Sequence, residues 1–424
     1  MRIDTMIPEL LAPAGTMEKL KIALQYGADA VYLGGDQFGL RAMAGNFTNA
    51  ELPAALALCH ANKVRAYLTV NSYPSDRQLD GLEQYLRQMA RLPFDAYIVA
   101  DPGVLRMVRR ISPEREIHLS TQANTINHET ALFWQEQGVG RINLAREMTL
   151  EDIRTTVTAV TIPCEVFVHG ALCIAYSGRC LLSSALTGRS ANQGACTQPC
   201  RWRYALQEES RPGVDLPIEE HEQGTFIFNS KDLCLLEQLP ELISAGVTAL
   251  KIEGRMKGVH YLACVLRVYR AALDAYASDP AGYRTDPRWL EELTTVSNRG
   301  YTTGFLYGDP HDVGQSYHAG YQRSHHLVGV VESVHPHNGT GTLTVRNRFA
   351  LGDCLELIGP RMKRLDCPAT EIMVVGPDNG YTSASVVHPN QRIVMRLPAA
   401  AAPGDLLRLP QADRPATGST TSRR

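Results

Sequence analysis

The sequence predicts an α/β protein: a (β/α)8 TIM-like barrel with a loop and hairpin insertion after its seventh strand, then a small C-terminal all-β barrel. Three observations carry this prediction. Eight short apolar, β-type runs alternate with helical patterns over roughly the first 270 residues. Nearly every run ends in a polar or glycine residue, as strands do where they converge on the catalytic face of a barrel. Beyond about residue 280 the chain shifts to brief β-rich runs separated by Gly, Asn, Asp and Pro.

The strand runs are ELLAPA (9–14), AVYLGG (30–35), RAYLTVN (65–71), AYIVAD (96–101), EIHLSTQ (116–122), RINLARE (141–147), EVFVHG (165–170) and ALKIEG (249–254). Between them lie patterns with apolar residues at helical spacing, such as RQLDGLEQYLRQMARL and TLEDIRTTVTAV. Thr16, Asn127 and Thr149 stand where N-caps belong. The cysteine-rich loop (171–203) follows strand seven and therefore lies on the catalytic face. The polar stretch QEESRPGVDLPIEEHEQG after it reads as a hairpin tip, and Cys234 as the start of the helix leading to strand eight. MKGVHYLACVLRVYRAALDAYAS is a long helix. The expected domains are a barrel over 1–280, a connecting segment over 281–324, a β-barrel over 325–410 and a disordered tail over 411–424.

The chain has 424 residues, 44% of them hydrophobic, and a formal net charge of −2. That balance excludes a globally basic nucleic-acid binder, so RNA contacts would need local patches: Arg109 with Arg110, Arg201 with Arg203, and the RMKR run at 361–364. Pro8 and Pro13 interrupt the N-terminus and no long apolar run exists, so neither a signal peptide nor a membrane span is expected, and a cytoplasmic location is. In that setting ten cysteines point to metal or catalysis rather than disulfides.

Cys173, Cys180, Cys196 and Cys200 follow a C-x6-C-x15-C-x3-C spacing in one glycine-rich loop. Thiolates suit zinc or an iron–sulfur cluster; the absence of a C-x2-C knuckle leaves the two open. Cys234 could fold back to the same loop, giving five candidates for four positions. His169 closes strand seven as either a catalytic base or a loop hydrogen-bond partner, and Tyr176 is either a proton donor or an aromatic packed over the loop. Hydrolase signatures of the H-E-x-x-H and G-x-S-x-G kinds, and a P-loop, are absent from the sequence.

The stretch EVFVHGALCIAYSGRCLLS (165–183) resembles the signature of the family historically called peptidase U32. ELLAPAG, DAVYLGG, HLSTQAN, LARE, NSKDL, LKIEGRMK and SNRGYTTGF fit the same family in the same order. The resemblance covers about residues 7 to 410. The family name implies a collagenase-like protease. Its better-characterised branches imply oxygen-independent hydroxylation of a tRNA wobble uridine, of a ribosomal RNA cytidine, or of the ubiquinone ring. FVHGALCIAYSGRCLLS, NQGACTQPCRW, RGYTTGF and FALGDCLELIGP make this chain similar to the tRNA branch.

That resemblance implies a [4Fe-4S] cluster on Cys173, Cys180, Cys196 and Cys200, with Cys234 the competitor for the fourth position, as in the quinone branch. It implies prephenate as required metabolite and co-substrate. Further partners would be a tRNA anticodon region and an electron donor or iron–sulfur assembly proteins. Prephenate's two carboxylates call for cations, and Arg41, Arg146, Lys251 and Arg255 lie at strand ends with Asn71 and Gln122. Alternatively Lys251 and Glu253 form an internal ion pair. His169, Tyr176 and Glu253 are the candidate catalytic residues. Trp202 and Tyr301 are candidate stacking platforms for a base.

Overall fold

A computed structural model describes residues 6–40, 45–172, 180–202, 220–221, 224–225, 231–308, 322–335 and 337–411. They form two compact units, residues 1–286 with 298–321, and residues 287–297 with 322–424.

The first unit is a closed parallel barrel. Strands β1 (Glu9–Pro13), β2 (Ala30–Leu33), β3 (Arg65–Val70), β4 (Ala96–Val99), β5 (Glu116–Leu119), β6 (Arg141–Asn143) and β7 (Cys164–Ala171) pair in chain order. The two-residue strands β8 (Glu220–His221) and β9 (Gly224–Thr225) form the hairpin of the insertion, and β10 (Asp232–Cys234) follows it. The eighth barrel strand, β11 (Ala249–Ile252), closes the ring by pairing in parallel with both β1 and β7.

Helices α1 (Met17–Gln25), α2 (Leu52–Ala61), α3 (Leu79–Met89), α4 (Pro102–Ile111), α5 (His128–Glu136) and α6 (Leu150–Ala159) follow β1, β2, β3, β4, β5 and β6. The N-caps stand as expected. Thr16 accepts from Lys19 N at 3.3 Å, Asn127 from Thr130 N at 2.9 Å, and Thr149 forms a reciprocal box with Asp152. The insertion carries α7 (Leu182–Thr187), and α8 (Leu239–Ser244) leads into β11. The 20-residue α9 (Val259–Ser278) is buried along most of its length. Among the described residues no helix is long and apolar enough to cross a membrane.

One element departs from the sequence reading. Cys234 does not begin a helix; it ends β10, which runs antiparallel to β7 with Asp232, Leu233 and Cys234 opposite Ala171, Gly170 and His169. β7 is longer than its barrel neighbours, so its upper end needs a partner for its backbone groups. β10 supplies it, and β12 (Tyr301–Thr302) pairs beside β10.

The barrel interior holds an apolar layer of Leu11, Ala30, Tyr32, Tyr67, Ala96 and Ile98. Beside it lies a buried charge lattice. Arg141 reaches Glu9 at 2.7 Å and Glu165 at 3.4 Å, Lys251 reaches Glu165 at 2.7 Å, and Tyr67 donates to Glu9 at 2.9 Å. Each of these five side chains is almost wholly removed from water.

The second unit is an antiparallel all-β region. Its main sheet has eight strands, centred on His325–His335, Thr340–Val345 and Leu406–Pro410. Val328, Leu343, Leu357, Ile393 and Leu407 form its core. Helix α10 (Pro287–Thr294) belongs to this unit through the fully buried Arg408, which donates to Glu292 at 2.9 Å and to Glu356 at 2.8 Å.

Candidate functional site at the barrel mouth

The C-terminal ends of the barrel strands bring together Asn71, Gln122, Arg146, Glu253 and Arg255. Asn71, just past β3, accepts from Leu40 N at 3.1 Å and donates to Ser120 Oγ at 3.3 Å and Gln122 Oε1 at 3.2 Å. Arg146 stacks its guanidinium 3.9 Å from the centroid of the Phe167 ring and faces Glu253 at 3.9 Å. That pair is long for a salt bridge, and both side chains keep some exposure. Arg255 is buried and ties two strand-end loops together through Asn46 and through Thr69 at 3.4 Å. An added Cβ on Gly34 would lie 2.6 Å from Arg255 Nη2, so any side chain there would have to displace the guanidinium.

Lys251 is placed differently from the rest. Its ammonium binds Glu165 rather than Glu253 and lies 4.7 Å from the Tyr32 ring centroid, inside the charge lattice. Burial alone would raise the Glu165 carboxyl pKa, but Lys251 and Arg141 overturn that and hold it below its ordinary value.

His169 is re-aimed by a β-bulge. Lys251 pairs with Phe167 and Ile252 with His169, so Val168 is the extra residue on β7. Phe167 faces the lumen cations, whereas His169 packs against Tyr261 and Tyr269 of α9 and against Tyr301, with ring centroids 5.9, 5.6 and 5.3 Å away. Its Nδ1 lies 3.4 Å from the Tyr269 hydroxyl, which itself donates to the Val168 carbonyl at 2.8 Å. Burial pushes His169 down to about 3, so the ring is neutral.

The cysteine-rich loop docks on this face. Tyr73 N donates to the Asn192 carbonyl at 3.2 Å. Gly194 adopts φ +85°, with an added Cβ only 2.5 Å from the Gly39 carbonyl, which excludes any other residue there. Within the loop, Thr197 N donates to Ser183 Oγ at 3.1 Å, joining the segment after Cys180 to the segment between Cys196 and Cys200. Gln198 N donates to Cys196 Sγ at 3.4 Å, which ties the sulfur to the backbone of its own loop.

Cys180, Cys196 and Cys200 are half-buried thiols on this loop, a donor set suited to a soft metal or cluster. Among the described residues no three His, Cys, Asp or Glu side chains are already gathered as a metal-holding group. Cys234 differs chemically: it is buried against Tyr269 and burial pushes its thiol up to about 11, which opposes ligation. Arg41, Cys173, Tyr176 and Arg203 lie outside the described residues, as does the side chain of Arg201.

Three of the other basic candidates are engaged within their own units. Arg110 pairs with Glu83 at 2.7 Å, Lys363 with Asp405 at 2.6 Å, and Arg364 with Glu356. Tyr301 is half-buried against His169, while Trp202 is 43% exposed. Sequence reasoning missed the lattice of Glu9, Arg141 and Glu165, and the buried pair Asp232–Arg299 at 2.6 Å. A signal for the lattice existed: each of its three members occupies the first or second position of a β-type run and is followed two residues later by another lumen residue, Leu11, Asn143 or Phe167.

The model of peptidase family U32 matches residues 15–316, and that of the family's C-terminal domain matches residues 323–408. The chain is 40% identical over 410 residues to "tRNA hydroxylation protein P1" of Bacillus subtilis (strain 168), covering 96% of each chain. It is 37% identical to "tRNA hydroxylation protein P" of Escherichia coli (strain K12), covering 88% of this chain and 92% of the relative. It is 35% identical to "23S rRNA 5-hydroxycytidine C2501 synthase" of the same organism, covering 72% of this chain and 46% of the relative.

Proposed function

The chain belongs to peptidase family U32, and from that membership we propose that it is an RNA-modifying enzyme that hydroxylates tRNA. The specific reaction proposed is oxygen-independent formation of 5-hydroxyuridine at the wobble position, with prephenate as the required metabolite. The observation that carries the reading is the cysteine-rich loop docked on the barrel mouth through Tyr73 and Gly194, on the face that also gathers carboxamides and guanidinium groups.

Cys173, Cys180, Cys196 and Cys200 would hold the [4Fe-4S] cluster, with Cys234 left as a neutral thiol. A four-thiolate cluster supplies electron transfer when bound. Arg146 is the proposed carboxylate partner for prephenate, because its present ion pair with Glu253 is long and exchangeable. Arg255, Asn71 and Gln122 set the loop geometry around it. Glu253 is the proposed proton-handling carboxylate, and Tyr176 a proton donor on the same loop as the cluster ligands. His169 acts as a positioning residue that anchors the strand from which that loop departs.

Nucleoside mass spectrometry of tRNA from a deletion strain tests the proposal. Loss of 5-hydroxyuridine derivatives, restored by the wild-type chain, is expected. Unchanged derivatives in a strain without a second family member would overturn it.

A further inference from the structure

A cavity of about 220 Å³ opens between the loops that follow β2 and β3, lined by Gln37, Phe38, Ser72, Tyr73 and Gln78. It is smaller than the usual pocket for a drug-sized ligand, so it suits a single heterocycle. We propose that it binds one unstacked nucleobase, of uracil type, from the RNA substrate. The inference rests on the RNA reading above and adds to it the place where a base is read.

Two aromatic rings are held rigid at this cavity. Phe38 has a left-handed backbone, φ +56°, unusual for a bulky residue, and its ring lies 5.5 Å from that of Tyr85. Tyr73 donates its hydroxyl to the Gln122 carbonyl at 2.5 Å, which fixes the ring, and its backbone N–H holds the cysteine-rich loop at Asn192. Rigid rings are the platforms on which proteins stack splayed bases.

The polar groups fit a base edge. Gln78 Oε1 accepts from Ser75 N at 2.9 Å, which pins its carboxamide and leaves the amide N–H donors for another partner. The Gln37 carboxamide and the nearly buried Ser72 hydroxyl form no hydrogen bond among the described residues. A carboxamide offers one donor and one acceptor side by side, matching the N3–H and carbonyls of uracil. None of the five lining side chains is charged, so the cavity is wrong for a dicarboxylate such as prephenate and right for a neutral ring.

The test uses the full-length protein and a tRNA anticodon stem–loop, with binding read by fluorescence anisotropy and modification by nucleoside mass spectrometry. Replacing the wobble uridine by an abasic site, and separately substituting Gln37→Leu or Ser72→Ala, should each weaken binding about fivefold or more. Free uridine should compete only at far higher concentration than the stem–loop. Equal affinity for abasic and intact RNA, or for both variants and wild type, overturns the proposal even if hydroxylation is confirmed. Competition by free uridine as effective as that by RNA also overturns it, since it would mark a free-nucleoside site. Base-dependent binding lost in the variants supports the cavity even if tRNA hydroxylation itself is not found, which keeps the two readings separable.

Discussion

The barrel has two charged regions, and they are built on opposite rules. In the lumen, Glu9, Arg141, Glu165 and Lys251 are buried and pair at contacts down to 2.7 Å. At the mouth, Arg146 and Glu253 face each other at 3.9 Å, and Arg146 lies on an aromatic ring. The lattice pairs its charges with one another away from solvent, whereas a long, partly exposed pair can exchange its partner. Charge inside a barrel is therefore no sign of chemistry by itself; a long, solvent-reachable pair on the face that carries the cysteine loop is the better candidate.

The largest expected effect lies at the cysteines. Cys196→Ala and Cys200→Ala should reduce tRNA 5-hydroxyuridine to background and remove labile iron and sulfide from anaerobically purified protein. Cys234→Ala should keep both, because its thiol is buried and protonated beside Tyr269. Zinc without labile sulfide in the wild type, or loss of iron only in the Cys234 variant, would move the ligand set away from the loop.

The next effect separates lumen from mouth by stability. Glu165→Ala leaves Lys251 and Arg141 buried without their shared carboxylate, and should cost about 3–5 kcal/mol in urea unfolding. Glu253→Ala removes a carboxylate that is less buried and whose pair with Arg146 is long, and should cost about 1 kcal/mol. Similar losses in the two variants would erase the distinction. A smaller effect concerns the metabolite: Arg146→Ala should raise the prephenate requirement by roughly tenfold or more at little cost in stability. Lys251→Met should show the reverse pattern, and a Lys251 variant that folds normally but loses prephenate would refute the assignment.

Much of this arrangement was legible in the sequence. The eight β-type runs, the three side-chain N-caps and the placement of the cysteine loop after strand seven follow from local patterns of one to two turns or a few strand residues. What was not legible depends on distance along the chain or on a single residue of register. Lys251 and Glu165 are 86 residues apart, and nothing local chooses Glu165 over Glu253 as partner. β10 exists because β7 is long enough to need it, so the segment DLC is too short to announce a strand. The Val168 bulge turns His169 from lumen to helix, and a one-residue shift leaves no mark on composition. The cavity residues were missed for the same reason: Gln37, Phe38, Ser72, Tyr73 and Gln78 come from two loops without periodicity.

His169 provides the finest test of the comparison, because the bulge removes it from the mouth and gives it the character of the buried interior. Its folded pKa is lowered to about 3 by burial among Tyr261, Tyr269 and Tyr301, against 6.5 for an ordinary histidine. The folded state keeps the ring neutral where the unfolded chain takes up a proton, so the unfolded state binds more protons between about pH 6.5 and 3. His169 therefore contributes stability above pH 6.5 that is lost as pH falls through that window, at about 1.4 kcal/mol per pH unit once below 6.5. His118 and His326 are also lowered, so the wild type alone would mix several such losses. Urea unfolding of wild type and His169→Phe at pH 7 and pH 5.5 isolates one of them, with the wild type expected to lose about 1 kcal/mol more than the variant. Parallel losses would mean that His169 takes up its proton in the folded state, which returns it to the mouth as a base rather than an anchor.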